Sequence, residues 1–413
     1  MTVLLNGPTE ADKVGAPANF VGHDSPATAG RAESRAAQGR LSSGKLKHRW
    51  SLGHNYLAGI TAGEWWRLLC DNRFAVDPAY WHRALFITLA SLYNSYCRRR
   101  EERMYADAVD RVEITEPPLF ILGHWRSGTT LLHNLLAQDT AQFAFANTYQ
   151  VVNPHTFLST EEKNTRRFAR FIPRKRPMDE MELGFHTPQE DEFAPLLTTL
   201  LSLYLGISFP RREIHYARYL TFRDVPEDQI DEWKAALLWF CKKLTWKYRR
   251  ALILKSPPHT ARVRLLLDMF PGARFVHVCR NPYDVFQSQR HYFDTAMWYT
   301  YLQRPDVAQI DDGIIARYAA LYDAYFDDRP QIPQGRLHEV RFEMLEQEPV
   351  GEIRAIYKNL ELAGFDEFEP KLQSYVDSIA GYRKNTLAPL TEADRRRVAD
   401  AWQRGFREWN YTV

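Results

Sequence analysis

Eight residues, Gly123 to Thr130 (GHWRSGTT), have the spacing of a phosphate-binding loop: glycine, four residues, glycine, then two positions that face the ligand. The lysine that would grip the β- and γ-phosphates of a nucleoside triphosphate is absent, and Thr129 stands in its place. What remains suits an anion. A glycine turn at a helix N-terminus aims successive backbone N–H groups at one point. Ser127, Gly128, Thr129 and Thr130 add amides and hydroxyls, and Arg126 adds a fixed positive charge. A second set lies far downstream in VHVCRNPYDVFQSQRHYF, where Arg280 ends an apolar run and Ser288 follows eight residues later. Between the two sets lie Lys255 and His259 in LILKSPPH. A polar cluster, HTPQEDEF, holds His186, Glu190, Asp191 and Glu192.

These side chains need elements to carry them. PLFIL is a short apolar run ending at Gly123, and TTLLHNLL then places leucines at helical spacing, so strand, turn and helix occur in the order the loop requires. The arrangement recurs: ALILK reads as a strand, TARVRLLLDMF as a helix, RFVHVCR as a strand and YDVFQSQRHYF as a helix. Continuous apolar strands alternating with helices predict an α/β fold, a central parallel sheet covered by helices on both faces in a three-layer arrangement. At the carboxyl edge of such a sheet Arg280 and Ser288 could reach a second phosphate beside the first loop. One more strand is expected near Leu337 to Arg341, and a capped helix near Thr391.

Taken together, the R-S-G-T-T loop and the R-N-P-x-D-x-x-x-S segment (Arg280, Asn281, Pro282, Asp284, Ser288) resemble the sulfotransferases that use 3′-phosphoadenosine 5′-phosphosulfate. The match covers about Leu119 to Phe293. The resemblance implies a P-loop-like fold in which Arg126 to Thr130 hold the 5′-phosphosulfate and Arg280 with Ser288 hold the 3′-phosphate. VRFEMLEQEP resembles the family's late V-x-Y-E-x-L segment, with Phe342 in place of tyrosine. YRKN at 382–385 resembles the tail of the donor site, where Arg383 or Lys384 would touch the 3′-phosphate. Many family members carry lysine at the position of Arg126. Arginine stays protonated, so it stabilises charge on the leaving oxygen but is a poor proton donor to it. Lys255 is the second cation. Where cytosolic members place a histidine base two residues after that lysine, this chain has Pro257, and its histidine is His259. The base is therefore expected from Glu190 or Glu192, ahead of His259 and His186, with His124 and Trp125 shaping the acceptor pocket. The expected reaction is transfer of a sulfuryl group to a hydroxyl or amine of a carbohydrate, a lipid or another small acceptor, without a metal.

Composition sets the outer bounds. A chain of 413 residues, 45% hydrophobic and 25% charged, can bury an ordinary core. A formal net charge of +3 gives no reason to expect a nucleic-acid partner. Four scattered cysteines form no C-x-x-C pair, which argues against a zinc site or disulfides and fits a reducing compartment. No charged start followed by an apolar core opens the chain, and no run of about 18 apolar residues occurs, so neither a secretory leader nor a membrane span is expected. The expected location is cytoplasmic, with peripheral contact to a membrane through residues 57–112 as an option. Residues 1–48 are rich in Ala, Gly, Ser and Pro and are expected to stay disordered. Residues 49–115 read as an aromatic helical extension, and 116–413 as the sulfotransferase domain. Two rivals can be weighed. A P-loop kinase or hydrolase would want lysine at 129 and an acidic strand end for Mg²⁺, whereas RFVHVCR ends in arginine. A non-catalytic nucleotide-binding module at a membrane would not need Arg126, Lys255, Arg280 and Ser288 together. The sequence leaves the acceptor and the oligomeric state open.

Overall fold

The structure is a computed structural model that describes residues 46–168, 184–381 and 387–413. Arg383, Lys384 and nearly all of the expected N-terminal tail lie outside the described residues.

Five parallel strands form one sheet: β1 (Leu119–Leu122), β2 (Phe143–Phe145), β3 (Ala251–Lys255), β4 (Arg274–Cys279) and β5 (Leu337–Arg341), in the order β2-β3-β1-β4-β5. Successive residues of a strand point to opposite faces, and here both faces are buried. Leu119 and Ile121 join one core with Ile253, Val276, Val278 and Val340. Phe120 and Leu122 join the other with Leu252, Leu254 and Phe275. That double burial is why the strands read as unbroken apolar runs.

The main helices are α1 (Ala62–Asp71), α2 (Trp81–Asp110), α3 (Thr129–Leu136), α4 (Glu227–Tyr248), α5 (Pro282–Thr295) and α6 (Ile310–Asp328). The acidic start and basic end of α4 match its dipole, with Glu227 and Asp228 in the first turn and Lys247 in the last. A helix at Glu392–Ala401 is capped by the Thr391 side chain, which accepts from Asp394 N. The expected helix after β3 is split into a 3₁₀ turn at Pro257–Arg262 and a helix at Val263–Met269.

From β1 the chain leaves toward β2 on one side, and from β4 it leaves toward β5 on the other. The order therefore reverses between β1 and β4, and a crevice opens at their carboxyl ends. The aromatic segment before β1 packs onto this body through charge as well as apolar contact. Lys243 of α4 meets Glu101 of α2 at 2.5 Å, each 3% exposed. Arg83 of α2 is buried and donates to the carbonyls of Trp298 and Tyr301. Breaking such a buried pair by removing one partner costs about 3–5 kcal/mol. Asp77 stands before Pro78, a pairing that commonly caps the start of a helix. Its side chain caps nothing; instead it pairs with Arg211 and accepts from Arg304 N at 2.7 Å. Among the described residues no helix is long and apolar enough to cross a membrane.

Candidate functional site

The loop between β1 and α3 is held open by backbone conformations that side chains rarely adopt. Gly123 (φ 141°) and Gly128 (φ 105°) lie at positive φ, as does Arg126 (φ 69°). A Cβ on Gly128 would lie 2.1 Å from Phe342 Cδ2, and one on Gly123 2.7 Å from the Val278 carbonyl. The loop is pinned from several elements. Gly123 N donates to Thr260 Oγ1 (2.7 Å), and His124 N donates to the Tyr322 hydroxyl (3.2 Å). The Ser127 hydroxyl turns inward to the His124 carbonyl (2.8 Å), so it braces the loop from within. His124 Nδ1–H donates to the Trp125 carbonyl (2.9 Å), and burial pulls its pKa down to about 3, which keeps the ring neutral.

The two distant cation sets meet here. Arg126 Nε donates to Ser288 Oγ on α5 at 2.9 Å, and Arg280 Nη1 donates to the Arg126 carbonyl at 3.0 Å. Arg280 lies over the Phe342 ring at 4.5 Å, and the same ring blocks any side chain at Gly128. Arg280 Nε is buried and has no hydrogen-bond partner among the described residues. A buried, unsatisfied guanidinium N–H beside a loop of amides is the polar signature of a site that receives an anion. Glu343 supports the strand end by accepting from Asn281 N (3.1 Å).

The acidic cluster divides. Glu190 faces a cavity of about 1280 Å³ that Trp125, Tyr204, Gln289 and Tyr292 also line. Its carboxylate accepts from the Tyr204 hydroxyl (2.5 Å) and from Lys255 Nζ (3.2 Å). Trp125 Nε1 donates to that same hydroxyl (2.8 Å), so loop, glutamate and lysine are linked through one phenol. Burial first, and then the Glu190 charge, push the Tyr204 pKa well above its usual value and keep the phenol a donor. Glu192, two residues on, is fully buried away from the cavity. Both its oxygens take Arg262 (2.6 and 3.0 Å), and Oε1 also accepts from Ser202 (2.7 Å). His259 is equally enclosed: its Nε2 meets Asp191 Oδ2 at 2.5 Å, beside the rings of Phe120 and Trp233. His186 is exposed and does not line the cavity. Of the acids and bases named in the sequence, only Glu190 therefore combines contact with Lys255 and access to the cavity. Tyr204 carried no sequence signal, since LSLYLGISF reads as an apolar run, and Gln289 and Tyr292 were passed over inside YDVFQSQRHYF, where only Ser288 stood out. Gln289 Nε2 donates to the Trp125 carbonyl (3.1 Å), one residue after Ser288 has engaged Arg126.

Comparison with known proteins gives the family and the fold. A model described as the sulfotransferase family matches residues 117–367. The omega-hydroxy-beta-dihydromenaquinone-9 sulfotransferase Stf3 of Mycobacterium bovis is 36% identical over 348 residues, covering 83% of this chain and 88% of the relative. The same identity and coverage hold for Stf3 of Mycobacterium tuberculosis. Among solved structures, sulfotransferase STF9 of Mycobacterium avium superposes with a TM-score of 0.66 at 17% identity, covering 95% of this chain and 99% of that one. For sulfotransferase STF1 of Mycobacterium tuberculosis the TM-score is 0.59 at 16% identity, with 91% and 98% covered. These two likenesses establish the fold, while the family match and the Stf3 identity establish kinship: the chain belongs to the sulfotransferase family and is an enzyme of that type.

Proposed function

We propose that this enzyme moves a sulfuryl group from 3′-phosphoadenosine 5′-phosphosulfate to the hydroxyl of a lipid-like acceptor, a prenylated quinone being the first candidate. The observation that carries the donor assignment is the junction of Arg126, Ser288 and Arg280, with a buried guanidinium N–H left over for an anion. The acceptor class is supported by the apolar part of the cavity lining, where Tyr56, Phe193, Leu203, Phe293 and Met297 stand, and by the activity named for Stf3.

The donor would supply the sulfuryl group, and this chain's residues would hold it and steer charge. Arg280 and Ser288 would take the 3′-phosphate. The amides of Gly128 to Thr130 and the α3 N-terminus would take the phosphosulfate. As the acceptor oxygen bonds to sulfur, the sulfur–oxygen bond to the phosphate breaks and negative charge grows on that bridging oxygen. Arg126 and Lys255 would offset this charge, and Glu190 would accept the acceptor's proton. Beside that proton transfer, positioning and charge stabilisation are the main task, as in phosphoryl transfer. His259 and Glu192 would stabilise the fold beneath the site, since each is enclosed by its own partner.

The test is a transfer assay: purified protein, the phosphosulfate donor and an omega-hydroxylated prenylquinone, with the sulfated product read by mass spectrometry. Product formed in wild type and lost in Arg126→Ala supports the reading. Transfer only to water-soluble sugars or phenols would overturn the acceptor class.

A further inference from the structure

Helix α2 breaks the usual pattern of a surface helix. Between Ala84 and Cys97 it carries no charged residue, although one whole face is open to solvent. Trp81, Leu85, Leu89, Leu92 and Tyr96, spaced four, four, three and four residues apart, are 56–68% exposed. That spacing makes one continuous stripe about 22 Å long. Tyr93 and Phe86 widen it, and the exposed Trp50 stands beside its first turn against His82. The opposite face is fixed to the body: Arg83, Ile87, Ser91, Asn94 and Glu101 are buried. The outward residues are therefore surplus to the core, and an exposed apolar patch of this size marks an interaction surface.

Two features identify what the stripe meets. The first is charge. Directly after it come the exposed Arg99, Arg100 and Arg103, and Arg100 and Arg167 lie within electrostatic reach of Tyr93. An apolar face flanked by arginines is complementary to a bilayer with anionic headgroups. The second is position. The turn before Trp81 holds Asp77, whose partners Arg211 and Arg304 line the mouth of the acceptor cavity. Ile214, also at that mouth, is 93% exposed.

We infer that α2 lies in the surface of an anionic lipid bilayer and brings the cavity mouth to the membrane, so that a lipid acceptor enters without crossing water. The inference rests on the lipid reading of the acceptor given above, and vesicle binding is measured without any acceptor so that the two can fail separately. Wild type and Leu85→Asp/Leu89→Asp/Leu92→Asp are floated with vesicles of phosphatidylcholine containing one-third phosphatidylglycerol. All three substituted positions are exposed, so the variant should fold, which unchanged affinity for 3′,5′-bisphosphoadenosine checks. Wild type is expected to float, and the triple variant to bind vesicles roughly tenfold or more weakly. Its transfer to a short, water-soluble hydroxylated acceptor is expected to be unchanged. Equal flotation of both proteins overturns the inference. Absence of wild-type flotation overturns it too, as when a second copy covers the stripe; light scattering would then show a wild-type dimer and a monomeric variant. Flotation without transfer to any lipid would leave the docking standing and remove the acceptor class.

Discussion

Glu190 and Glu192 stand two residues apart, and their replacement by glutamine should have opposite consequences. In Glu190→Gln the side chain keeps its shape beside Tyr204 and Lys255 but can no longer take a proton. Loss of a general base lowers the rate by about 10²–10⁴, or about 3–5 kcal/mol of barrier. The folded state should change less: the Lys255 ion pair (3.2 Å) becomes a neutral hydrogen bond, but Glu190 is 17% exposed at the cavity, where water offsets part of the lost charge. Glu192→Gln instead breaks a bidentate pair in which both side chains are 0% exposed and leaves Arg262 charged and underpaired. That costs about 3–5 kcal/mol of stability. Single-turnover transfer at saturating donor and acceptor gives the rate, and thermal melting gives the stability. Glu190→Gln should melt near wild type and turn over slowly; Glu192→Gln should melt early and, while folded, turn over near the wild-type rate. Wild-type turnover in Glu190→Gln would refute its role as base. A slow Glu192→Gln that melts like wild type would refute the division of the cluster.

Other outcomes follow from the same geometry. Arg126→Ala and Lys255→Ala should each lose about 10²–10³ in turnover if they stabilise the leaving oxygen, measured in the same assay. Gly128→Ala should lose donor binding, since its Cβ would collide with Phe342 at a φ of 105°; affinity for 3′,5′-bisphosphoadenosine checks it, and a bound variant would show that the loop relaxes. Acid should weaken the fold. Burial holds His124 and His133 at about 3 and His277 at about 4, below the 6.5 of an unfolded histidine. The unfolded chain then binds more protons below pH 6.5, so this stability is complete above that pH and is lost as pH falls toward 4. The slope is about 1.4 kcal/mol per pH unit for each ring. Melting temperatures between pH 8 and 4.5 read it, and a flat profile would contradict the burial of these rings as neutral groups.

The strand–loop–helix unit was legible because all its signals are local: LFIL, two glycines and a leucine-spaced helix lie within twenty residues. Arg280 and Ser288 were legible from their spacing, and the structure places both against Arg126. What stayed hidden depends on partners far along the chain. Glu190 and Glu192 look alike in HTPQEDEF; their fates are decided by Lys255 and Arg262, 65 and 70 residues later. Tyr204 belongs to an apolar run until its hydroxyl is seen between Trp125 and Glu190. The edge strand β2 has three residues, too few for any period to show. Asp77 before proline looked like a cap, but two arginine positions distant in sequence claim its carboxylate.

Calorimetric titration of the purified chain with 3′,5′-bisphosphoadenosine, set beside ATP with and without Mg²⁺, tests the central claim most directly. The loop around Arg126, joined to Arg280 and Ser288, predicts tighter binding of the bisphosphate, independent of Mg²⁺. In Arg280→Ala that binding should weaken by about 10–100-fold, the loss of a charged hydrogen-bonding group of about 1.5–3 kcal/mol. Preference for ATP with Mg²⁺, or equal bisphosphate affinity in wild type and Arg280→Ala, would contradict the account.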